Sequence, residues 1–288
     1  MAEKINKIRL QGHEKFFLRD GWLNKGITIV EDNPKVFLGK DGADVFGIGN
    51  NMVKSLRYWL KAFGVIDEKP GVGAYLTEIG KKIKKYDKYF EDDFTLWVLH
   101  SSIAKNVKEA TTWYMFFNMC EVEEFTKEEI EFYIGREITK YTLGEPFSQN
   151  SLKNDIDMLL NMYSKEKVDP EEKNVSPMVA LQLIKKSNSG YVKSQPDRRM
   201  ISEWNVLFEL AHLLEGRESI SIDDASVGKH SISAIYHLSR VTINEMFDKL
   251  DTLGYIKVDR TAGLDMIYKV KDISPEEVVE EYYSKQVR

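Results

Sequence analysis

Two segments of the chain repeat the same spacing of apolar residues around a glycine. VKSLRYWLKAFGVI begins at Val53, INEMFDKLDTLGYI begins at Ile243, and each matched residue of the second lies 190 positions after its counterpart. The matched residues are Val53, Leu56, Leu60, Phe63, Gly64 and Ile66 in the first segment and Ile243, Met246, Leu250, Leu253, Gly254 and Ile256 in the second. This spacing is that of one face of an α-helix, and the glycine is placed to end the helix. We therefore expect two copies of one structural unit.

Each copy continues in the same way after its glycine. A short apolar segment starts at Ile66 or Ile256, a turn containing glycine follows, and another short apolar run, AYL or MIYKV, comes after the turn. Helix, glycine, strand, turn and strand is the outline of a winged helix, whose last helix can lie in the DNA major groove. We predict a mainly α-helical protein with two winged-helix-like (helix-turn-helix plus β-hairpin) domains. Winged helices also serve as protein-interaction modules, so the fold alone does not predict DNA binding.

The rest of the chain is predicted to form helices, interrupted by one charged segment. Periodic apolar residues between positions 91 and 163 predict several helices, and the runs MVALQLIKK and SEWNVLFELAHLLEGRE predict two more. Residues 164–177 contain two prolines, dense charge and almost no large apolar side chain, which is typical of a linker. The predicted domains are an N-terminal winged-helix-like domain (1–90), a central helical domain (91–163), the linker (164–177), and a C-terminal helical and winged-helix-like domain (178–288).

Composition predicts a folded cytoplasmic protein. Hydrophobic residues make up 42% of the chain and charged residues 30%, which is ordinary for a globular protein. The chain has no apolar run of about 18 residues, and its N-terminus lacks the apolar stretch of a secretion signal, so we expect no membrane association. The single cysteine, Cys120, lies in the apolar run WYMFFNMC and is expected to be a buried, inert thiol.

Positive charge is concentrated in the first copy, although the net charge of the chain is −5. Between Gly47 and Lys88 there are nine Lys or Arg residues and four Asp or Glu residues. Such a patch can direct a polyanion to one face of the protein; solvated lysines on helix surfaces are the alternative explanation.

The solvent faces of the two repeated helices differ in charge. The second carries Asn244, Glu245, Asp248, Lys249 and Asp251, whose carboxylates would repel phosphates, so we expect it to serve in packing or dimerisation, and a homodimer is one expected partner. The first carries hydrogen-bond donors suited to phosphates and base edges. The residues predicted to contact DNA are Asn51, Lys54, Ser55, Arg57, Tyr58 and Lys61, with Lys81, Lys82, Lys84 and Lys85 assisting on the backbone.

The motif GIGNNMVKS does not fit a nucleotide-binding loop. A P-loop needs glycine directly before Lys-Ser, where this chain has Val53, and the dinucleotide motif needs glycine where it has Met52. Gly47 and Gly49 are instead expected to form the turn before a helix, with Asn50 or Asn51 as its N-cap.

Catalytic and metal-binding signatures are lacking. The histidines and the cysteine show no metal-ligand spacing and no nucleophile-elbow motif is present, so we expect no metal and no cofactor. His100 is expected to be a satisfied core histidine. His13 and Glu14 are adjacent, and Asp155 and Asp157 lie two apart on a predicted helix, so neither pair is expected to share one site.

Five ordered motifs resemble a bacterial family of unknown function, DUF4007. They are GHEKFFLRDGWLNKG, GIGNNMVKSLRYW, TLWVLH, ATTWYMFFN and SLKNDIDMLL, and they span most of residues 11 to 163. His13, Arg19 and Trp22 belong to the first motif and are a possible functional group of unassigned role. The resemblance implies a context of DNA modification and phage-defence genes, as in DNA phosphorothioation, and implies no catalytic residues.

These observations favour a non-enzymatic protein that binds double-stranded DNA as a regulator or DNA-recognition subunit of a bacterial modification or defence system. One alternative is a scaffold whose winged helices bind other proteins of such a system. A further alternative is a nuclease-type enzyme that uses Arg19, His13 and Glu14.

Overall fold

A computed structural model describes residues 6–164, 175–263 and 265–286. Within these ranges the fold is mainly α-helical, with three small antiparallel sheets. The helices are α1 (Trp22–Asp32), α2 (Gly42–Phe46), α3 (Asn50–Ala62), α4 (Glu78–Tyr86), α5 (Asp93–Lys105), α6 (Thr111–Met119), α7 (Lys127–Tyr141), α8 (Gln149–Ser164), α9 (Glu203–Leu213), α10 (Ile222–Ser226), α11 (Ile232–Tyr236), α12 (Arg240–Thr252) and α13 (Pro275–Gln286). The strands are β1 (Ile66–Lys69), β2 (Gly73–Leu76), β3 (Glu124–Phe125), β4 (Ile184–Lys186), β5 (Tyr191–Lys193), β6 (Ser219–Ser221), β7 (Ile256–Asp259) and β8 (Met266–Lys269).

The predicted repeat is present, as α3, β1 and β2 in the first copy and α12, β7 and β8 in the second. The two helices end in the same way. Gly64 and Gly254 have left-handed φ angles of 65° and 74°. The residue after each glycine donates its N–H to a carbonyl in the last turn of the helix. Val65 donates to Leu60 at 2.9 Å, and Tyr255 donates to Leu250 at 3.0 Å. The sequence therefore identified the helix ends because glycine adopts this conformation without steric cost.

The two copies differ in their sheets. In the first, β1 and β2 form a two-stranded hairpin in which Ile66 lies opposite Leu76. The N–H of Ala74 on β2 donates at 2.8 Å to the carbonyl of Pro34, from the loop after α1. In the second copy β8 lies between β6 and β7, so a third strand occupies the outer edge.

Polar side chains define several helix starts. Thr126 and Glu129 form a reciprocal capping box at the start of α7, and the side chain of Ser239 accepts the N–H of Thr242 at the start of α12. The prediction of Asn50 or Asn51 as the N-cap of α3 is wrong. Helix α3 begins at Asn50 after Gly49, which has no side chain with which to accept a hydrogen bond.

The prediction of a helix over MVALQLIKK is also wrong. A short 3₁₀ segment, Pro177–Leu181, ends at Gln182, whose left-handed φ of 53° stops the helical path. The remaining residues form β4, which pairs with β5. The turn between them ends at Gly190, where an added Cβ would lie 2.5 Å from the carbonyl oxygen of Phe125, so a residue with a side chain would not fit there.

Most of the predicted linker, residues 165–174, lies outside the described residues. Its described flanks, Ser164, Val175 and Ser176, are buried. The division of the chain into domains stays a prediction.

One cluster of buried apolar side chains extends from Leu18, before α1, to Tyr283 on α13. Helix α13 packs against both α4 and α9. The rings of Tyr86 and Tyr283 stack at 5.1 Å, and those of Phe94 and Tyr282 stack at 4.0 Å. The N-terminal and C-terminal parts of the described chain are thereby joined through an aromatic contact. None of the described helices has the length and apolar character needed to cross a membrane.

Candidate nucleic-acid interface

Helix α3 exposes only a narrow stripe of polar side chains. Lys54 is exposed, and the side chains of Arg57 and Lys61 are 40% and 20% exposed, at positions that follow one another by one helical turn. Asn51 also lies on the exposed side and accepts a hydrogen bond from Lys54 at 3.3 Å. The stripe therefore presents three cations and one amide from the predicted set.

The expectation that Ser55 and Tyr58 lie on this solvent face is wrong, because both are buried. The loop before α1 covers their side of the helix. The hydroxyl of Ser55 donates to the carbonyl of Phe16 at 3.0 Å, and the Tyr58 ring lies against Gly12, where an added Cβ would come within 2.4 Å of it. Helix α3 is thus packed on two sides, whereas its amphipathic pattern predicts one.

Two cations of the stripe, Arg57 and Lys61, belong to an ion network. Arg57 donates to both carboxylate oxygens of Glu68 on β1, at 2.6 and 2.8 Å. Lys61 lies 3.4 Å from Glu68 and 3.1 Å from Glu109, and Arg9 pairs with the same Glu109. Three cations therefore face two carboxylates, and Lys54 adds a fourth cation outside the network.

The network alters the acid–base properties of its members. Burial by itself would raise the pKa of Glu68, but the hydrogen bonds and charge of Arg57, together with Lys61, lower it. The hydrogen bond to Glu68 raises the pKa of Arg57. Both groups are consequently ionised near neutral pH, and the stripe retains an excess of positive charge.

The lysines of α4 all have carboxylate partners. Lys81 pairs with Glu78 at 2.6 Å, and Lys84 pairs with Glu31. Lys82 and Lys85 both contact Glu280 of α13, at 2.5 and 3.0 Å. Hydrogen bonds from Lys82, Tyr86 and Lys85 lower the pKa of Glu280 to about 2. Contact of these lysines with DNA therefore requires competition with carboxylates of the same chain.

The carboxylates on the solvent face of α12 are paired with arginine and lysine side chains. Asp248 pairs with Arg260 at 2.6 Å and Asp251 pairs with Lys257 at 3.1 Å. Glu245 pairs with Arg198. The solvent face of the second helix is thus a set of ion pairs without the cationic excess of α3.

His13 is fully buried and forms a hydrogen-bonded pair with Asp155 of α8, at 2.8 Å. Its Nδ1 accepts the N–H of Lys15 at 3.1 Å, so its Nε2–H donates to Asp155. The ring also packs 6.0 Å from that of Trp59. Glu14 is exposed and does not join this pair. His13 therefore links the N-terminal loop to the helical core, and its burial gives no support to a role as a general base.

Arg19 and Trp22 contact each other. The Arg19 guanidinium lies 5.6 Å from the centre of the Trp22 ring and 5.9 Å from that of Phe17. The buried Nε–H of Arg19 has no hydrogen-bond partner among the described residues. The structure thus joins two members of the His13, Arg19 and Trp22 motif, and pairs the third with a residue of α8.

His100 and Cys120 have the buried positions predicted for them. The Nδ1 of His100 accepts the Tyr163 hydroxyl at 2.8 Å and its Nε2–H donates to the carbonyl of Ile235 at 2.7 Å. Burial lowers the pKa of His100 to about 4. Burial raises the pKa of Cys120 to about 11, as for an unreactive thiol.

Lys193 on β5 was not identified from the sequence. It lines a cleft of about 440 Å³ that also includes Cys120 and His237. Its ammonium group donates to the carbonyls of Phe116, at 3.0 Å, and of Cys120. These carbonyls lie in the last turn of α6 and just after it, where a cation is favourable. Burial lowers the pKa of Lys193 to about 8, and its hydrogen bonds indicate a role in capping α6.

Arg9, Glu68 and Glu109 were also missed. Glu68 follows the α3 helix on a predicted strand, so its proximity to Arg57 could have been found from the helix–strand outline. Arg9 and Glu109 lie about one hundred residues apart and no local pattern connects them. Among the described residues, no group of three or more His, Cys, Asp or Glu side chains is placed to hold a metal ion.

Comparison with known proteins gives a family match and a fold match. The model of a family described as "Protein of unknown function (DUF4007)" matches residues 10–283. Two solved structures, "SspB crystal structure" and "Magnesium ion-bound SspB crystal structure", have TM-scores of 0.84 and 0.85 at 21% and 20% sequence identity. Each match covers 98% of this chain and 88% of the other. No curated protein matches the sequence. At such identity, the likeness to SspB shows the fold alone.

Proposed function

The chain belongs to the DUF4007 family of proteins of unknown function, and on this premise we propose that it binds double-stranded DNA as a regulator or recognition subunit of a bacterial DNA modification or defence system. The modification or defence context rests on the family resemblance of its motifs. The DNA-binding part rests on the geometry around α3.

The observation that carries the proposal is the excess of cations on the exposed stripe of α3 and at Arg9 beside it. Arg9, Arg57 and Lys61 share two carboxylates, and Lys54 stands outside the network. DNA phosphates are the polyanion that such a stripe suits, because each phosphate contacted also releases condensed counterions. Lys54 begins the second turn of α3, next to the first turn, whose free backbone N–H groups favour a phosphate.

The arrangement of α3 before the β1–β2 hairpin supports a winged-helix-like mode of binding. In this mode α3 approaches the major groove of the DNA, and the β1–β2 hairpin lies along the DNA backbone. Lys69 is exposed at the end of β1 and is available for a backbone contact. The paired carboxylates of α12 make the second copy the weaker candidate for DNA.

Binding through this stripe involves an exchange of partners. Arg57 and Lys61 give up part of their pairing with Glu68 and Glu109 when phosphates approach. Glu68 and Lys61 are only 18% and 20% exposed, so replacing a carboxylate by a phosphate costs more here than the about 0 to 1 kcal/mol of a surface ion pair. The affinity gained is correspondingly moderate and strongly dependent on salt.

The test is fluorescence anisotropy of a labelled DNA duplex with the full chain at roughly 50 to 200 mM salt. We expect binding that weakens steeply with salt, and we expect Arg57→Ala with Lys61→Ala to lower the slope of log K against log [salt] by about 2. The matched control is Arg240→Ala with Lys249→Ala, which removes two cations from α12 and should leave the slope unchanged. Equal effects of the two double variants, or none, would contradict the assignment.

The same experiment separates the alternatives. Absence of binding at low salt would favour the protein-interaction scaffold. The SspB structure described as magnesium-bound makes the nuclease alternative worth measuring, so the duplex is also incubated with Mg²⁺ and examined for nicks. Cleavage that survives in His13→Ala would dissociate any nuclease activity from the His13 motif.

A further inference from the structure

The outer face of α7 carries an exposed aromatic side chain at its centre. The side chain of Phe132 is 67% exposed, although it lies in the middle of a helix. Glu128 and Arg136, one turn before and after it, are exposed as well. The opposite face of the helix is buried through Ile130 and Ile134. A large aromatic ring held in solvent is characteristic of a contact surface.

A groove runs beside Phe132. It has a volume of about 530 Å³ and is lined by α7 residues between Glu128 and Thr139 and by Gln149 of α8. Gly135 lies in its lining, and an added Cβ there would meet Leu152 at 3.5 Å, an ordinary van der Waals distance. Packing therefore does not require glycine, and a glycine inside a helix costs about 1 kcal/mol relative to alanine. Its absent side chain leaves the groove wider than the fold needs.

The groove lining carries two carboxylates, Glu128 and Glu131, and one cation, Arg136, which lies 3.3 Å from Glu137 of the same helix. Six glutamates and one lysine lie between residues 121 and 131. Lys127 is paired with Asp157, and Glu129 is used in the capping box of α7. The remaining glutamates, Glu121, Glu123, Glu124, Glu128 and Glu131, have no ion-pair partner within the part of the chain that the structure describes. This face repels nucleic acid and attracts a cationic partner.

We propose that the outer face of α7 docks an arginine-rich segment of a partner protein. Carboxylates of Glu128 and Glu131 can accept paired hydrogen bonds from a guanidinium, whose plane can stack on the exposed ring of Phe132. A lysine ammonium matches the charge but makes the stacked contact less well. This surface is built from α7 and α8 and is independent of the DNA-binding stripe of α3, so either assignment can fail without the other.

The test measures binding of fluorescein-labelled nona-arginine and nona-lysine to the full chain by anisotropy. We expect nona-arginine to bind the wild-type protein about threefold more tightly than nona-lysine, the size of an exposed cation–π contact. Phe132→Ala should abolish this preference. Glu128→Lys with Glu131→Lys should weaken nona-arginine binding about tenfold, because two exposed charge pairs are reversed. All these positions are on the surface, and an unchanged thermal melting temperature verifies that each variant folds.

Matched controls are Tyr89→Ala, which removes another exposed aromatic ring, and Glu215→Lys, which reverses an exposed glutamate after α9. Each should change affinity less than about twofold. Equal losses in the controls, or a Phe132→Ala protein that retains the arginine preference, would overturn the proposal. A concentration-dependent dimer in light scattering that the Glu128 and Glu131 reversals abolish would also overturn it, because the occupant would then be a second copy of this chain.

Discussion

His13 and Asp155 are separated by 142 positions in the chain, yet their side chains form a fully buried hydrogen bond of 2.8 Å. Asp155 also accepts the backbone N–H of Gln11 and the hydroxyl of Thr112, both at 2.7 Å. One carboxylate thus holds the N-terminal loop against α6 and α8.

Removing this carboxylate should strongly destabilise the fold. Asp155→Ala leaves two buried donors and one partly buried donor without an acceptor, which should lower the free energy of unfolding by about 3 to 5 kcal/mol. Urea denaturation measures the loss. The control is Asp157→Ala on the same helix, whose side chain is 39% exposed and paired with Lys127; it should cost at most about 1 kcal/mol. Similar losses in the two variants would show that the buried hydrogen bonds of Asp155 contribute no more to stability than the surface ion pair of Asp157.

Two histidines, the fully buried His100 and the partly buried His212, predict a loss of stability in mild acid. Burial lowers the pKa of His100 and of His212 to about 4, from 6.5 in an unfolded chain. Between pH 6.5 and 4 the unfolded state therefore binds more protons, and stability falls as the pH falls. From pH 6.5 to 5 the loss should be about 2 kcal/mol for each histidine. Chemical denaturation at several pH values measures it.

A variant assigns the acid effect to a residue. His212→Gln removes one titrating group. The slope of the free energy of unfolding against pH between 5 and 6.5 should therefore decrease by the contribution of about one bound proton. Carboxylates with lowered pKa values, such as Glu68 and Glu280, lose their contribution only below their unfolded pKa of 4.5 and do not affect this window. An unchanged slope would refute the assignment to His212.

The glycines that end the two repeated helices should be equally sensitive to substitution. Gly64→Ala and Gly254→Ala each force a Cβ into the left-handed region, and an added Cβ meets no close neighbour at either position. We expect each to lower the free energy of unfolding by about 1 to 2 kcal/mol from backbone strain alone. Gly49→Ala is the control, because its φ of −63° suits any residue. Thermal or urea unfolding of the three variants checks the comparison.

Glu280 should restrain the basic surface of α4. Glu280→Gln leaves Lys82 and Lys85 without their carboxylate, so DNA affinity should rise about threefold at low salt. The slope of log K against log [salt] should become steeper by about 1 to 2. The measurement is anisotropy with the duplex used for the α3 variants. Glu31→Gln frees Lys84 in the same way and is a matched comparison. A fall in affinity would mean that α13 positions α4 for binding.

The helical elements could be predicted because their signals are local. The apolar spacing of Val53, Leu56 and Leu60 and the glycine at position 64 all lie within one short segment, and the structure has α3 there. Helix α12 and the glycine that ends it follow by the same reasoning. The wrong helix prediction at Ile184–Lys186 shows the limit of such patterns. These residues form a strand because they pair with β5, and that pairing depends on tertiary contacts.

The composition of the α3 stripe could be predicted only in part. Lys54, Arg57 and Lys61 are on the exposed side, whereas Ser55 and Tyr58 are covered by a loop that no periodicity in α3 reveals. The carboxylates that pair with the stripe come from β1 and from the loop before α6, and only the folded chain brings them together. The spacing of Asp155 and Asp157 predicts no shared site, and nothing in the sequence indicates that Asp155 pairs with His13.

The contact of α13 with α4 has a consequence for how the chain is made. Tyr86 on α4 and Phe94 and Thr95 on α5 are covered by Tyr282 and Tyr283 of α13. During synthesis the ribosome delivers α4 and α5 nearly two hundred residues before their cover. The nascent chain therefore displays an aromatic surface until translation of α13 is complete, and a chaperone that shields aromatic side chains would act on it during that interval.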